Sequence, residues 1–157
     1  MEHIAYIGLG CNVGDRQATL RGALEMLNAR ADVDVRRVSR FIRTEPVGPP
    51  QAQYLNGAAR LDTSLGPREL LERLHEVEAA FGRDRAQEVR HGPRTCDLDI
   101  LLFDELVLET PALTIPHPRL HQRLFVLGPL AEIAANQVHP VLGKTVQQLL
   151  VELERRA

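Results

Sequence analysis

The sequence predicts an α+β fold in which helices pack against one antiparallel sheet. Four apolar runs are typical of strands, at residues 4–9, 33–42, 54–63 and 98–103. Two segments between them carry apolar side chains at helical spacing, near residues 15–29 and 67–81. This order is the βαββαβ core of a ferredoxin-like sandwich. Additional C-terminal helices are predicted near residues 119–134 and 145–156.

The first strand and helix are predicted from a short apolar run and the turn after it. Residues 4–9 indicate a central strand, and Gly10, Asn12 and Gly14 predict a turn directly behind it. Asp15 is placed to cap a helix with leucines on one face, at positions 20, 24 and 27. A strand, a tight turn and a helix are therefore expected in the first 29 residues.

The next strand should be irregular and is followed by a loop. Within residues 33–42 the apolar alternation changes phase between Val35 and Val38, which predicts a bulge. Residues 45–51 contain three prolines and one glycine, so they cannot form regular structure.

The second helix has clear signals at both ends. Pro67 suits the first helical position, and Gly82 is placed to end the helix. Its apolar face holds four residues, Leu70, Leu74, Val77 and Phe81. The polar stretch behind it, residues 83–93, has no periodic apolar face and is predicted to be an exposed, mobile loop.

Composition narrows the classes of protein. A chain of 157 residues is expected to form a single domain, residues 1–157. The net charge of -2 argues against a nucleic-acid partner. Cys11 and Cys96 lack a redox or zinc spacing, so free thiols in a cytoplasmic protein are expected. No apolar run is long enough to cross a membrane. No exposed apolar stripe that could form a subunit interface is evident, so we expect a monomer.

A glycine-rich segment at residues 8–14 invites comparison with a dinucleotide-binding loop. Val13 stands where the third glycine of Gly-x-Gly-x-x-Gly belongs, and the lysine of a phosphate-binding Walker loop is missing. The spacing favours an ordinary strand-to-helix turn and disfavours a Rossmann-type oxidoreductase.

Two aspartates in the last strand are the strongest chemical signal. Strand alternation predicts Asp97 and Asp99 on one face, and the apolar side chains on the other, at Leu98, Ile100 and Leu102. Paired carboxylates with substrate phosphates are typical of magnesium sites. Four arginines lie just upstream, at positions 83, 85, 90 and 94. A polyphosphate between cations and guanidinium groups would be neutralised from both sides.

Residues 115–125 form a second dense segment with His117, Arg123 and Phe125. His117 lies between two prolines, which predicts a rigid, extended segment. Histidine and arginine suit phosphate, and Phe125 could stack on a ring, although Phe125 and Tyr54 could equally be core residues. No histidine has a zinc-like spacing to a cysteine or carboxylate.

Four motifs in this order resemble the 6-hydroxymethyl-7,8-dihydropterin pyrophosphokinase family of folate biosynthesis. They lie at residues 43–49, 54–56, 92–99 and 116–119. The most specific is Gly-Pro-Arg-x-x-Asp-x-Asp at residues 92–99, and the resemblance spans almost the whole chain. It implies a ferredoxin-like fold and transfer of the pyrophosphoryl group of ATP to the hydroxymethyl group of the pterin, with AMP released.

The resemblance also implies roles for individual residues. Two magnesium ions would be held by Asp97 and Asp99. The residues expected in catalysis are Asp97, Asp99, Arg83 and Arg94. Those expected at the pterin are Thr44, Val47, Tyr54, Asn56 and Phe125. Those expected at the nucleotide are Glu78, Arg83, Arg85, Arg94, His117 and Arg123. The alternative is a ferredoxin-like regulatory module that binds a nucleotide or metabolite without catalysis.

Overall fold

The computed structural model describes residues 1–45, 51–83 and 95–157. The strands are β1 (His3–Cys11), β2 (Val33–Val38), β3 (Ile42–Thr44), β4 (Tyr54–Thr63), β5 (Asp97–Phe103), β6 (Leu108–Glu109) and β7 (Thr114–Ile115). The helices are α1 (Arg16–Asn28), α2 (Pro67–Ala80), α3 (Leu124–Ala134) and α4 (Val146–Arg156).

The main sheet confirms the predicted order of strands and helices. Its strands lie in the order β2-β4-β1-β5, with β3 also paired to β4. Every pairing in it is antiparallel, which differs from the parallel sheet of a Rossmann fold. Strands β6 and β7 form a small separate hairpin.

Helices cover both faces of this sheet and create two apolar clusters. On one face, α1 and α2 pack against β1, β4 and β5 through residues such as Leu20, Leu74 and Ile7. On the other face, α3 and α4 pack through Leu127, Leu130 and Leu149. The sheet therefore lies between two helical layers. No helix in the described ranges has the length and apolar character that crossing a membrane requires.

The predicted starts of α1, α2 and α4 are confirmed. The Asp15 carboxylate accepts a hydrogen bond from Ala18 N at 3.1 Å, and Pro67 is the first residue of α2. Thr145 caps α4 by accepting from Gln148 N at 3.1 Å. These local signals set the helix starts without long-range contacts.

The single strand predicted at residues 33–42 is wrong, because the chain forms β2 and β3 with a break between them. The bulge is confirmed, since the pairing register with β4 shifts between Val35 and Arg37. Ser39 N donates a hydrogen bond to Ala58 O, and Ser39 Oγ accepts one from Ala58 N, both at 2.9 Å. The Phe41 ring lies over Gly57, where an added Cβ would come within 2.6 Å of the ring. This packing separates the two strands.

Strand β5 also carries a bulge that the alternation did not predict. Tyr6 of β1 pairs with Leu102, but the next residue, Ile7, pairs with Ile100, so Leu101 is the extra residue. The predicted face of Leu98 and Ile100 is confirmed, but Leu102 was wrongly placed on it. The bulge turns Leu102 to the α3 side, where it joins Leu101.

Two further predicted boundaries were wrong. Strand β1 continues to Cys11, so Gly8 and Gly10 lie within the strand and the turn begins only after it. Helix α3 begins at Leu124 rather than near residue 119, because Arg123 has an extended backbone and residues Leu120–Gln122 form a separate 3-10 turn. The segment before that turn is attached to β5, where Leu101 O accepts a hydrogen bond from His117 N at 3.0 Å.

The two cysteines are free and fully buried, as predicted for free thiols. Burial raises the pKa of the Cys96 thiol to about 12 and also raises the pKa of Cys11. Two predictions, the loop at residues 45–51 and the mobile loop at residues 83–93, fall largely on residues 46–50 and 84–94, outside the described part of the chain.

Candidate active site

The floor of the candidate site is a patch of sheet without side chains. Gly8 and Gly10 of β1 point to the α3 side, with Asn56 of β4 and Asp97 of β5 as register neighbours of Gly10. A Cβ added at Gly10 would lie 3.0 Å from Asn56 Oδ1 and 3.9 Å from Asp97 Cβ. The two glycines therefore keep the space open between the amide of Asn56 and the carboxylate of Asp97.

Asp97 and Asp99 both border this floor, as the alternation predicted. Asp99 is the register neighbour of Gly8, and both aspartates are partly buried. They line one small cavity of about 50 Å³ together with His117 and Arg123. Two carboxylates on one strand face thus lie beside a histidine and an arginine.

A larger cavity of about 780 Å³ opens from the same place. It shares Asn56, Asp97, Arg123 and Phe125 with the smaller one and is also lined by Thr44 and Tyr54. The structure therefore brings together the described residues that the sequence assigned to the pterin. Its size suits a small organic ligand, since such sites usually measure about 300–1,000 Å³.

Asn56 is fixed at the back of this cavity. It is almost fully buried, with 7% of its surface exposed, and its Nδ2 donates a hydrogen bond to Thr44 Oγ1 at 2.5 Å. Ile42 of β3 pairs with Asn56 of β4, and Thr44 lies two residues after Ile42. The side chains of Thr44 and Asn56 therefore lie on the same face of the sheet. An anchored amide of this kind can recognise the polar edge of a flat heterocycle.

Phe125 and Arg123 stand at the first turn of α3. The Arg123 guanidinium carbon lies 5.5 Å from the centre of the Phe125 ring, a cation–π distance. Both residues line both cavities. The start of α3 therefore supplies an aromatic face and a positive charge to the same site.

His117 lines the same small cavity as the two aspartates. Burial lowers its pKa, and the nearby positive charge of Arg123 lowers the pKa further. Its Nδ1 accepts a hydrogen bond from Arg119 N at 3.2 Å, so the ring proton is on Nε2. His117 can therefore donate a hydrogen bond from Nε2 without carrying charge.

Asp97 is in contact with a buried ion pair formed by Arg83 and Glu78. Arg83 Nη1 donates to Asp97 Oδ1 at 2.9 Å and to Glu78 Oε2 at 2.6 Å. The side chains of Glu78 and Arg83 are only 2% and 5% exposed, whereas that of Asp97 is 33% exposed. Arg83 thus contacts the site through Asp97, and Glu78 lies behind both.

The remaining predicted site residues are outside the described ranges. Val47, Arg85 and Arg94 fall within residues 46–50 and 84–94. Their assignment to pterin or nucleotide stays a prediction.

Sequence reasoning missed some residues that line the site. Gly8 was placed in a strand and Gly10 in the turn behind it, and neither was given a role in the site, although two glycines separated by one residue share a strand face and can clear it of side chains. Arg119 and Arg156 also line the larger cavity. Arg156 belongs to the last turn of α4, and no local pattern indicates that this turn folds back to the site.

A separate cavity of about 880 Å³ lies on the α1 side of the sheet. It is lined by Arg16, Arg21, Arg40 and Arg43, together with Asp15 and Glu25. Among the described residues, none of those assigned to the pterin, nucleotide or metal borders it. The aspartate-lined site is therefore the better candidate for chemistry.

A family model and curated relatives match this chain. Residues 6–135 match the model described as 7,8-dihydro-6-hydroxymethylpterin-pyrophosphokinase (HPPK). The 2-amino-4-hydroxy-6-hydroxymethyldihydropteridine pyrophosphokinase of Bacillus subtilis is 54% identical over 85% of this chain and 79% of its own length. The proteins with the same name from Synechocystis and Methylorubrum extorquens are 45% and 43% identical, over 97% and 96% of this chain and 77% and 93% of their own lengths.

Solved structures support the fold. The crystal structure of Plasmodium falciparum HPPK-DHPS wild type with pteroate has a TM-score of 0.77 and 12% identity and covers 98% of this chain. A triple mutant of the same protein with SDX-DHP has a TM-score of 0.76, at 16% identity. The chain spans under half the length of these proteins, 45% and 44%, so the likeness concerns the ferredoxin-like fold of one part of them.

Proposed function

Because this chain belongs to the 7,8-dihydro-6-hydroxymethylpterin-pyrophosphokinase family, we propose that it transfers the pyrophosphoryl group of ATP to the hydroxymethyl group of 6-hydroxymethyl-7,8-dihydropterin and releases AMP. Membership makes it an enzyme, a pyrophosphokinase of folate biosynthesis, and sets aside the non-catalytic regulatory module. We further propose that residues 1–157 act as one domain and as a monomer.

One observation carries the proposal. Asp97 lines the larger cavity together with an anchored amide, Asn56, and two aromatic residues, Tyr54 and Phe125. The smaller cavity shares Asn56, Asp97, Arg123 and Phe125 with it and is also lined by the second carboxylate of β5, Asp99. This combination suits a reaction that joins a flat heterocycle to a phosphate chain. Neither the apolar clusters nor the cavity beside α1 brings these groups together.

The donor set fits magnesium. Asp97 and Asp99 line one small cavity and offer hard oxygen ligands there, and water and phosphate oxygens would complete the coordination. We propose that they hold two Mg²⁺ ions. When bound, these ions would supply positive charge against the phosphate oxygens during the transfer.

The pterin is proposed to lie in the larger cavity. Asn56, held by Thr44, would hydrogen-bond its polar edge, and Tyr54 and Phe125 would stack on its ring. Val47 would add a contact by the family resemblance. This placement would direct the hydroxymethyl group toward Asp97, which lines the same cavity.

The nucleotide is proposed to extend from the aspartates along the cationic side of the site. His117 would donate from Nε2 to a phosphate oxygen, and Arg123 would neutralise phosphate charge. By the family resemblance Arg85 and Arg94 would join them, with Arg83 and Glu78 nearby. The protein's contribution is then mainly to position the reactants and to neutralise charge, which is how phosphoryl transfer is usually catalysed.

Product analysis tests the proposal. The unmodified chain is incubated with ATP and 6-hydroxymethyl-7,8-dihydropterin, with Mg²⁺ or with excess chelator, and the nucleotides are separated by chromatography. We expect AMP in equal amount to the pterin diphosphate, and only when pterin and Mg²⁺ are both present. Formation of ADP instead of AMP would contradict pyrophosphoryl transfer, and AMP without pterin would indicate hydrolysis.

A further inference from the structure

Glu78 is a buried charge close to the site but not in it. Its side chain is 2% exposed, and it borders neither the 780 Å³ nor the 50 Å³ cavity. A carboxylate in this position must be compensated by hydrogen bonds and an opposite charge. Its partners therefore indicate what it does.

Those partners connect Glu78 to both aspartates. Glu78 Oε2 accepts from Leu98 N at 2.8 Å, and Leu98 is the residue between Asp97 and Asp99. The same oxygen accepts from Arg83 Nη1 at 2.6 Å. Arg83 Nη1 also donates hydrogen bonds to Asp97 Oδ1 at 2.9 Å and to Cys96 O at 3.2 Å. One carboxylate of α2 thus fixes the backbone and the guanidinium that surround the start of β5.

The charges of Glu78 and Arg83 affect how well Asp97 can bind a cation. Arg83 and a metal ion would compete for the oxygens of Asp97. Because Arg83 is shared with Glu78, its charge is not directed at Asp97 alone, and Asp97 keeps acceptor capacity toward the cavity. Without the Glu78 charge, the buried guanidinium would depend more strongly on Asp97.

We propose that Glu78 is a positioning residue that acts through Arg83 and the Leu98 amide to orient Asp97 and Asp99 for a divalent cation, and that it does not itself contact the nucleotide. This inference rests on the proposed function for the identity of the cation. It replaces the expectation, taken from the family resemblance, that Glu78 belongs to the nucleotide site.

The test is the affinity for Mn²⁺, used as a paramagnetic probe in place of Mg²⁺. Mn²⁺ is titrated into the chain with a non-hydrolysable ATP analogue, and free Mn²⁺ is measured by electron paramagnetic resonance. We expect Glu78→Gln to weaken Mn²⁺ binding by about tenfold or more, the usual effect of losing a group that supports a ligand. The matched control is Glu72→Gln, the same change at an exposed position of α2, which should leave the affinity unchanged.

A double-variant comparison isolates the route through Arg83. Glutamine can still accept from Leu98 N, so Glu78→Gln removes mainly the charge on Arg83. In an Arg83→Gln background, adding Glu78→Gln should therefore change the Mn²⁺ affinity by less than about twofold. An equal weakening in both backgrounds would overturn the proposed route.

Steady-state kinetics give a second readout. AMP formation by Glu78→Gln should show a kcat lower by about tenfold or more, with the KM for pterin nearly unchanged. A folded Glu78→Gln variant with unchanged Mn²⁺ affinity, or with only a higher KM for ATP, would overturn the inference. If Glu78→Gln does not fold, Glu78→Asp keeps the charge but withdraws it from Arg83, and it carries the same expectation.

The outcomes separate this inference from the proposed function. If the unmodified chain forms no AMP but its Mn²⁺ affinity depends on Glu78, the proposed function fails and the positioning role stands. If the chain forms AMP and Mn²⁺ binding ignores Glu78, only the positioning role fails. Absence of any Mn²⁺ binding by the unmodified chain would overturn both.

Discussion

Two glycines of β1 determine how much room the site has above the sheet. Gly8 and Gly10 occupy the same strand face, but a side chain would meet different surroundings at each. At Gly8 a Cβ would lie 3.5 Å from Leu101, an ordinary contact, whereas at Gly10 it would lie 3.0 Å from Asn56 Oδ1. The amide of Asn56 is fixed by Thr44 and has little freedom to move. A single methyl group therefore tests the geometry of the pterin site.

Gly10→Ala should raise the KM for pterin by about tenfold, because displacing Asn56 by a few tenths of an ångström weakens one hydrogen bond of about 1.4 kcal/mol. The KM for ATP should change little. Initial rates at varied pterin concentrations provide the measurement. Gly128→Ala, at a position of α3 where an added Cβ would meet nothing within 4 Å, is the control and should leave both constants nearly unchanged, so equal effects of the two variants would argue against this site.

Phe125→Ala should raise the KM for pterin by about tenfold or more, since a stacked aromatic ring contributes roughly 1–3 kcal/mol to binding. The KM for ATP should rise much less, because the residues proposed for the phosphates remain. Phe125→Tyr, which keeps the ring, is the control. A variant whose two KM values rise together would show that Phe125 supports α3 rather than the pterin.

At the scale of elements, local signals predicted the order of the fold but not its irregularities. Asp15 and Pro67 predicted the starts of α1 and α2, and the last helix was predicted near residues 145–156, where α4 lies. The bulge at Leu101, the break near Phe41 and the late start of α3 depend on contacts between distant strands. The apolar periodicity of one segment carries no information about contacts with segments that are distant in the sequence.

The turn before α4 is an element whose stability should depend on pH. His139 is 5% exposed, and its Nδ1 accepts from Val141 N at 3.2 Å and Leu142 N at 3.1 Å. Burial lowers its pKa, and the nearby His121 lowers the pKa further. Protonation would remove the acceptor that closes the turn.

Acidification should therefore destabilise the protein. The unfolded chain takes up a proton as the pH falls through about 6.5, while folded His139 resists it, so the free energy of unfolding decreases below that pH. A tenfold difference in proton affinity corresponds to about 1.4 kcal/mol. Urea unfolding between about pH 7.5 and 5.5 measures the slope.

Two variants make this prediction specific. His139→Asn should be less stable at neutral pH, but its stability should depend less on pH. Gln147→Asn, at an exposed position of α4 with no titrating group, should keep the slope of the unmodified chain. An unchanged slope in His139→Asn would assign the pH dependence to other groups, such as His117, whose pKa is also lowered by burial.

In the molecule as a whole, the apolar clusters that stabilise the fold and the proposed catalytic groups lie in different places. The α1 and α2 side and most of the α3 and α4 side are filled by apolar clusters. The end where β1, β4 and β5 meet the start of α3 is the place where Asp97 and Asp99 border cavities. The sequence alone predicted Asp97, Asp99, His117 and Phe125 as chemical groups, but their meeting with Asn56 and the two glycines requires the sheet register.

The carboxylates of β5 are proposed to catalyse pyrophosphoryl transfer, and Asp99→Asn removes the charge of one of them. The measurement is the initial rate of AMP formation with ATP, Mg²⁺ and pterin, with Asp34→Asn on β2 as the control. We expect Asp99→Asn to lose about a thousandfold in rate with its fold intact, because a neutral amide is a poor magnesium ligand, and Asp34→Asn to retain full activity. A folded Asp99→Asn variant within about tenfold of the unmodified rate would contradict the claim.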